Sequence, residues 1–377
     1  MSGPPTEVAA VRAAVRHAVA GVPPGTPLLV ACSGGADSTA LAEACARLGD
    51  RYPVRAAVVD HGLQAGSAER ARATVELLAG LGVPGEVHPV TVTGPGGTEA
   101  AARRARYAAL RAARPSPGSP VLLGHTMDDQ AETVLLGLGR GSGPRSLAGM
   151  RRWSDPWLRP LLGVRRSTTR AACAARGIPV WDDPHNADPR FTRVRLRAEL
   201  LPLLEDVLAG GVVEALARTA DQLHEDCAAL DDWAERAYRA LGAAGGPPGG
   251  LAEGPAGGSA EVCVAGAAEG LAGGLAEGPE DLAVDALYGL PAAVRRRVLR
   301  RWLAGRGVPE LTDSLLRRAD DLIGNWHGQG AVALPGGLEL ARGHGRLVLG
   351  SGGRRPPEHG ESGSSAAVRE AAPVVRR

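Results

Sequence analysis

Over its first two hundred residues the chain alternates short apolar runs with stretches of helical spacing, and no other feature restricts the fold as much. Runs that read as strands lie at 27–32 (PLLVAC), 54–60 (VRAAVVD), 85–92 (GEVHPVTV) and 120–124 (PVLLG), with a weaker fifth at 178–181 (IPVW). Helical spacing falls near 38–48, 67–81, 98–113, 128–138 and 167–176. Strands separated by helices of that length predict βαβ units and a parallel sheet. Such sheets bind ligands at the carboxyl ends of their strands. Those ends here read SGGADS, DHGL and GHTMDDQ, all with acids or small polar residues.

Beyond this α/β part, 206–242 reads as helix, with apolar residues three and four apart. Residues 243–280 form a Gly/Ala/Pro/Glu stretch that contains GGLAEGP twice, and a flexible insertion is expected there. Arginine-rich helices follow at 281–327, and 331–350 (AVALPGGLELARGHGRLVLG) reads as a hairpin. Residues 351–377 should be largely disordered. The fold class expected is therefore α/β, a parallel-sheet domain followed by a mainly helical domain with a C-terminal β-hairpin.

Composition narrows the partners. The chain has no lysine, so all 43 basic residues are arginines. Between Arg140 and Arg197 thirteen arginines stand against four aspartates, a region suited to phosphates although the net charge is only +2. Five scattered cysteines (32, 45, 173, 227 and 263) form no CxxC pair and fit reduced thiols. No apolar run approaches the roughly 20 residues of a membrane span. The first residues lack a signal-peptide core. A cytoplasmic protein with no membrane partner is expected.

In SGGADS, Gly34 and Gly35 let the backbone approach an anion, and the following helix offers free N–H groups at its positive end. Ser33 and Ser38 add hydroxyls. Asp37 is the informative member. A carboxylate beside phosphates repels them unless a cation intervenes, which favours Mg²⁺ held by one or two carboxylates plus substrate phosphates. An ordinary strand–helix turn would use the same residue types. In DHGL, Asp60 and His61 should face one crevice, although Asp and Gly favour turns on their own account. In GHTMDDQAETVLL, His125 ends a strand, and Asp128 or Asp129 is placed to cap the helix that follows. Asp129 and Glu132 share a helix face. An acidic first turn suits the helix dipole, but a carboxylate pair with no basic neighbour on its turn also suits a metal, a ligand ammonium or both. Arg193, Arg195 and Arg197 are two apart, a period that suits an extended segment offering forks to phosphate oxygens. A solvated basic stretch is the plainer alternative.

Together these residues resemble the PP-loop ATP pyrophosphatases, whose signature is SGGxDS after the first strand. Within that superfamily, SGGADS, DHGL, TEAAARRARY (98–107), GHTMDDQAETVLL with RGSG, and DPHNADPRFTRVRLR are similar, in order over about residues 27–205, to the tRNA(Ile)-lysidine synthetases. The later helices and LPGG hairpin look like that family's C-terminal tRNA-binding part. The resemblance implies a Rossmann-like catalytic domain over 1–205, of the adenine nucleotide alpha hydrolase type, and a tRNA-binding part in 206–242 and 281–350. It implies that ATP adenylates the wobble cytidine of the isoleucine tRNA with a CAU anticodon, releasing pyrophosphate. The ε-amine of L-lysine then displaces AMP to give lysidine, which changes the codon read from AUG to AUA. By the same resemblance Ser33, Gly34, Gly35, Ala36, Asp37 and Ser38 bind ATP, and Asp37 is a Mg²⁺ ligand or base. Asp129 and Glu132 hold the lysine, and Asp37, Asp129 and His125 form the catalytic set. His61, His125, Arg193, Arg195 and Arg197 contact adenylate or tRNA phosphate, and a homodimer is the expected assembly. Departures from the family pattern stand at Gln64, Met127, Gly137, Gly139 and Val194.

The rival readings are another PP-loop enzyme, sulfur-inserting or amidating, and a nucleotide-binding module without turnover. The first lacks its cysteine pair or its other motifs here. The second gives no reason for acids at 37, 60, 128 and 129 to converge on one crevice.

Overall fold

The computed structural model describes residues 3–95, 97–141, 143–183, 188–243 and 279–351. The expected Gly/Ala-rich insertion, apart from its first residue and last two, lies outside these residues, as do the tail from 352 and Cys263. The chain divides into two compact units, which part between Ala229 and Leu230.

In the first unit, strands β1 (Leu28–Ala31), β2 (Val54–Asp60), β3 (Gly85–Pro89), β4 (Val121–Leu123), β5 (Trp153–Ser154) and β6 (Trp157–Leu158) form one sheet in the order β3-β2-β1-β4-β6-β5. All neighbours are parallel except the β5–β6 pair. Around it run α1 (Thr6–Ala18), α2 (Ala36–Ala46), α3 (Ser67–Gly80), α4 (Gly97–Ala112), α5 (Met127–Gly139), α6 (Pro144–Leu147) and α7 (Arg166–Ala175). Both faces of the sheet are covered, as parallel strands require. Leu28 and Val30 of β1 join the core with Leu41 and Leu78, whereas Leu29 and Ala31 join Leu110 and Val121 on the other face. Strand order turns back at β1, so the crevice at the β1–β4 boundary is where such a sheet takes its ligand.

Four strands and five helices fall where the sequence places them. The fifth strand does not. Residues 178–181 carry no strand pairing, and the sheet is instead extended by β6 and β5. Helix α1 was not expected; it buries Val8, Val11 and Val15 at helical spacing and packs on α2 and α7. The arginines at 193, 195 and 197 are not extended either. They lie on α8 (Thr192–Arg195) and the π-helical turn Leu196–Leu200 that follows it, before α9 (Leu201–Val207) and α10 (Val212–Ala243).

The structure accounts for four of the five departures. A Cβ on Gly137 would lie 2.4 Å from the Ser146 carbonyl oxygen, so glycine lets α5 and α6 approach closely. Met127 packs against the cluster of Ala131, Leu201 and Val213, and Val194 is buried. Gln64 donates to Asp183 at 3.1 Å and accepts from Arg70 at 2.9 Å. Nothing in the structure explains Gly139.

The second unit holds the end of α10, α11 (Val284–Tyr288), α12 (Ala292–Gly305), α13 (Asp313–Gly324) and an antiparallel sheet. Its strands are β7 (Leu282–Ala283), β8 (Val332–Leu334), β9 (Leu338–Gly343) and β10 (Arg346–Ser351), in the order β7-β10-β9-β8. Where one hairpin was expected there are two. Gly336 and Gly337 take positive φ at the first turn, and His344 and Gly345 take positive φ at the second. Trp302, Leu299, Leu303 and Leu340 lie in its core.

Candidate active site

The loop after β1 is shaped by glycine and serine. Gly34 has φ +82°, and a Cβ there would sit 2.8 Å from Thr74 Oγ1, so two constraints select glycine. Gly35 is the N-cap of α2, with Ala36 buried behind it. The Ser38 hydroxyl accepts from the Ser33 N–H at 3.1 Å and donates to the Gly35 carbonyl at 3.0 Å, closing the loop on itself. Its outer side is held where Trp181 N–H donates to the Gly34 carbonyl at 3.1 Å. The first-turn N–H groups of α2, which have no intrahelical partner, follow directly on this loop.

Two regions meet at this loop. One is a cavity of about 360 Å³, lined by Ser33, Gly35, Asp60, His61, Arg106 and Trp181, among others. There Asp60 Oδ1 accepts the Gly62 N–H at 3.0 Å, the turn role open to it. His61 and His125 each have an Nδ1 buried without a hydrogen-bond partner among the described residues. Burial, with Arg106 nearby, lowers the His61 pKa, and the same causes drive His125 down to about 3. Both rings are therefore neutral at neutral pH.

The other region is an acid cluster beneath α2, α5 and α7. The α5 N-cap is Thr126, not an aspartate. Its hydroxyl takes the Asp129 N–H while Asp129 Oδ2 accepts the Thr126 N–H at 2.8 Å, a capping box. Asp128 Oδ2 instead accepts the Arg166 main-chain N–H at 2.7 Å and ties α5 to the start of α7. The Arg166 side chain then reaches three carboxylates: Asp129 Oδ1 at 2.5 Å, Glu132 Oε1 at 3.4 Å and Asp37 Oδ2 at 3.4 Å. Asp37 Oδ1 also accepts from the Thr169 hydroxyl. Glu132 is fully buried and takes Arg197 Nε at 2.8 Å, with Arg193 at 3.5 Å. Arg193 and Arg197, one helical turn apart, thus serve one acid. Arg195 points away, exposed, and pairs with Glu199 at 2.9 Å.

Electrostatics separates the two principal acids. Burial raises the Asp37 carboxyl above the ordinary aspartate range, against the Thr169 and Arg166 contacts that lower it. Burial pushes Asp129 up as well, but Arg166 and the Thr126 hydrogen bonds outweigh it and hold this carboxyl low. The pair combines a firm anion with a carboxyl that keeps its proton more readily.

The structure therefore brings Asp37, Asp129 and Glu132 together and places His61 on the cavity wall, while Asp60 and Arg195 stand outside the cluster. Arg106 and Arg166 are the candidate site residues that the sequence concealed. Arg106 lies inside the quoted TEAAARRARY, and Arg166 is one of thirteen arginines in its stretch.

Residues 10–204 match the PP-loop domain family, and residues 282–348 match the TilS substrate binding domain family. A tRNA(Ile)-lysidine synthase of Mycolicibacterium paratuberculosis is 53% identical over 310 residues, covering 82% of this chain and 84% of the relative. The chain belongs to the tRNA(Ile)-lysidine synthase family. The same name is borne by a Rhodococcus erythropolis protein, 48% identical over 92% of this chain and 96% of its own, and by a Mycobacterium bovis protein, 50% identical over 85% and 87%. Among solved structures, the U34-tRNA thiolase NcsA of Methanococcus maripaludis covers 58% of this chain and 80% of its own at 15% identity and TM-score 0.49, too distant a likeness to bear on function. Cys32, Cys45, Cys173 and Cys227 are all buried and none of them is in a disulfide, and no helix among the described residues is long and apolar enough to cross a membrane.

Proposed function

We infer that this chain ligates L-lysine to the wobble cytidine of the isoleucine tRNA with a CAU anticodon, in the cytoplasm, consuming ATP and releasing pyrophosphate and AMP. One arrangement carries the reading: Asp37 of the loop and Asp129 of the second motif meet across a single guanidinium. A nucleotide phosphate and a ligand amine would thus be held by one cluster. The named relatives, which span both parts of the chain, support it.

In this reading residues 33–38 cradle the ATP phosphates through α2 N–H groups and the two serine hydroxyls. Among the described residues no three His, Cys, Asp or Glu side chains group into a metal cage. One carboxylate at a phosphate loop still fits Mg²⁺, which takes its other ligands from phosphates and water. Asp37 would hold the ion, and the ion would supply charge neutralisation for departing pyrophosphate. Asp129 and Glu132 hold the lysine, with the firmly ionised Asp129 nearer the ammonium. The attacking amine must first lose a proton, and Asp37, when not holding the ion, is the better acceptor of the cluster's two shifted acids. His125, neutral, serves the adenylate by hydrogen bonding. Arg193 and Arg197 act through Glu132, and exposed Arg195 is placed for tRNA phosphate.

The test is incubation with ATP, Mg²⁺, lysine and unmodified isoleucine tRNA, followed by nucleoside mass spectrometry. A cytidine bearing lysine is expected. Its absence refutes the reading, and a sulfur adduct would favour a thiolase. Asp37→Ala should abolish pyrophosphate release and leave tRNA affinity nearly unchanged.

A further inference from the structure

The Arg166 guanidinium occupies the ground between the loop that would take phosphate and the acids that would take an amine. It meets Asp37, Glu132 and Asp129 through a different nitrogen each, Nε, Nη1 and Nη2, two of them at 3.4 Å. Its fork therefore never closes on one carboxylate with two parallel bonds, the arrangement in which arginine binds oxyanions best. A phosphate seated at residues 33–38 beside Asp37 would offer that arrangement. The main chain need not move for the exchange, because Asp128 fixes the Arg166 N–H independently of the side chain.

Departure of the side chain would affect the three acids unequally. Asp37 would keep Thr169, and Glu132 would keep Arg197 at 2.8 Å. Asp129 would lose its close cation and retain, within 4 Å among the described residues, only Arg197 at 3.9 Å. A largely buried carboxylate stripped of its cation is strongly disfavoured. An incoming ammonium would restore the balance.

The geometry points to Arg166 as an exchangeable counter-cation: nucleotide phosphate draws it off Asp129, and this opens the acid for lysine. Lysine binding and ATP binding are then positively coupled through one side chain, and free enzyme resists lysine because an internal cation holds its place. The inference rests on the lysine-ligating reading and adds to it an order of binding. Arg166 is a positioning residue here, so its test is binding rather than turnover.

Isothermal titration of the full chain with L-lysine, with and without α,β-methylene-ATP and Mg²⁺, measures the coupling. Wild-type protein should bind lysine about tenfold or more tighter with the nucleotide, within the span of ordinary coupling. Arg166→Gln should bind lysine more tightly than wild type when no nucleotide is present, and the nucleotide should no longer matter. A purely structural arginine, or one that grips the lysine carboxylate, would instead give weaker lysine binding in both states, which overturns the proposal. So does a wild-type affinity indifferent to nucleotide, or no lysine binding in either state. A variant-free arm uses inorganic pyrophosphate: it should tighten lysine binding where adenosine does not, and failure to do so overturns the exchange. Lysidine formation, scored separately by mass spectrometry, tells the two readings apart. Product without coupling removes only the exchange, and no product removes the ligase reading.

Discussion

Gly124 stands where β4 gives way to the acid-bearing helix, and its replacement by alanine probes how the site is assembled. A Cβ there would lie 3.0 Å from Ser38 N and Cα and 3.1 Å from the Asp37 carbonyl carbon. Non-bonded carbons prefer about 3.5–4.0 Å, so the two segments must separate by about half an ångström. The neighbour is backbone and cannot rotate away. Overpacking of this kind costs about 1–3 kcal/mol, and reduced freedom of the unfolded chain returns about 0.4–1 kcal/mol. A net loss of ~1–2 kcal/mol lowers the melting temperature of a unit this size by about 2–8 °C. The moved segment is the start of α2, so nucleotide chemistry should suffer more than stability does. Misplacement by about 1 Å can cost on the order of 10²-fold, so pyrophosphate release should fall by roughly ten- to a hundredfold. Scanning calorimetry and a pyrophosphate assay read the two effects, with Gly139→Ala, which meets nothing within 4 Å, as the control. Wild-type turnover in a destabilised Gly124→Ala protein would refute the claim that this contact sets the loop.

Four further outcomes follow from the same geometry. Asp129→Asn removes the ionised acid and should raise the KM for lysine by about ten- to a hundredfold, the value of a hydrogen bond to a charged group, with nucleotide affinity retained; steady-state kinetics checks it. In Thr169→Val, Asp37 loses a hydrogen bond that favours its carboxylate, so burial is left less opposed and its pKa rises further. The acid limb of the pyrophosphate-release pH profile should therefore move to higher pH, and an unmoved limb would show that Asp37 does not govern it. Arg195→Ala should weaken tRNA binding and reduce the salt dependence by about one unit of slope, leaving lysine and nucleotide binding alone. In the second unit Arg295 and Asp320 form a buried pair at 2.7 and 3.1 Å. Asp320→Ala should cost that unit ~3–5 kcal/mol, seen as faster hydrogen exchange across 284–349 and unchanged exchange in β1–β4.

What the sequence revealed, and what it hid, follows from how each interaction is encoded. The strands β1, β2 and β4 contain apolar runs of three or more residues, which survive inspection, whereas β3 (GEVHP) shows only an apolar residue between polar ones. Strands β5 and β6 are two residues each, too short for any period, so IPVW at 178–181 stood in for them. That segment is still useful, because its Trp181 N–H holds the Gly34 carbonyl. The arginines at 193, 195 and 197 misled for a different reason. A spacing of two suggests one face of a strand, but on the helical turn only the residues four apart, Arg193 and Arg197, face the same acid.

Arg166 is the deeper case. Composition shows an arginine-rich stretch and suggests an outside polyanion as its partner. The cluster in fact sets Arg165, Arg166, Arg193 and Arg197 against Asp37, Asp128, Asp129 and Glu132. Four charges of each sign cancel, so part of the local positive excess read along the chain is neutralised where the chain folds on itself. A neutral cluster of this kind has a functional consequence that a bare acidic pocket would lack. Bare acids bind any cation at once, whereas compensated acids bind one only after an internal cation has been given somewhere else to go. The phosphate loop beside Asp37 provides that place, so the same contacts that pair the acids in the free protein can make amine binding wait for the nucleotide.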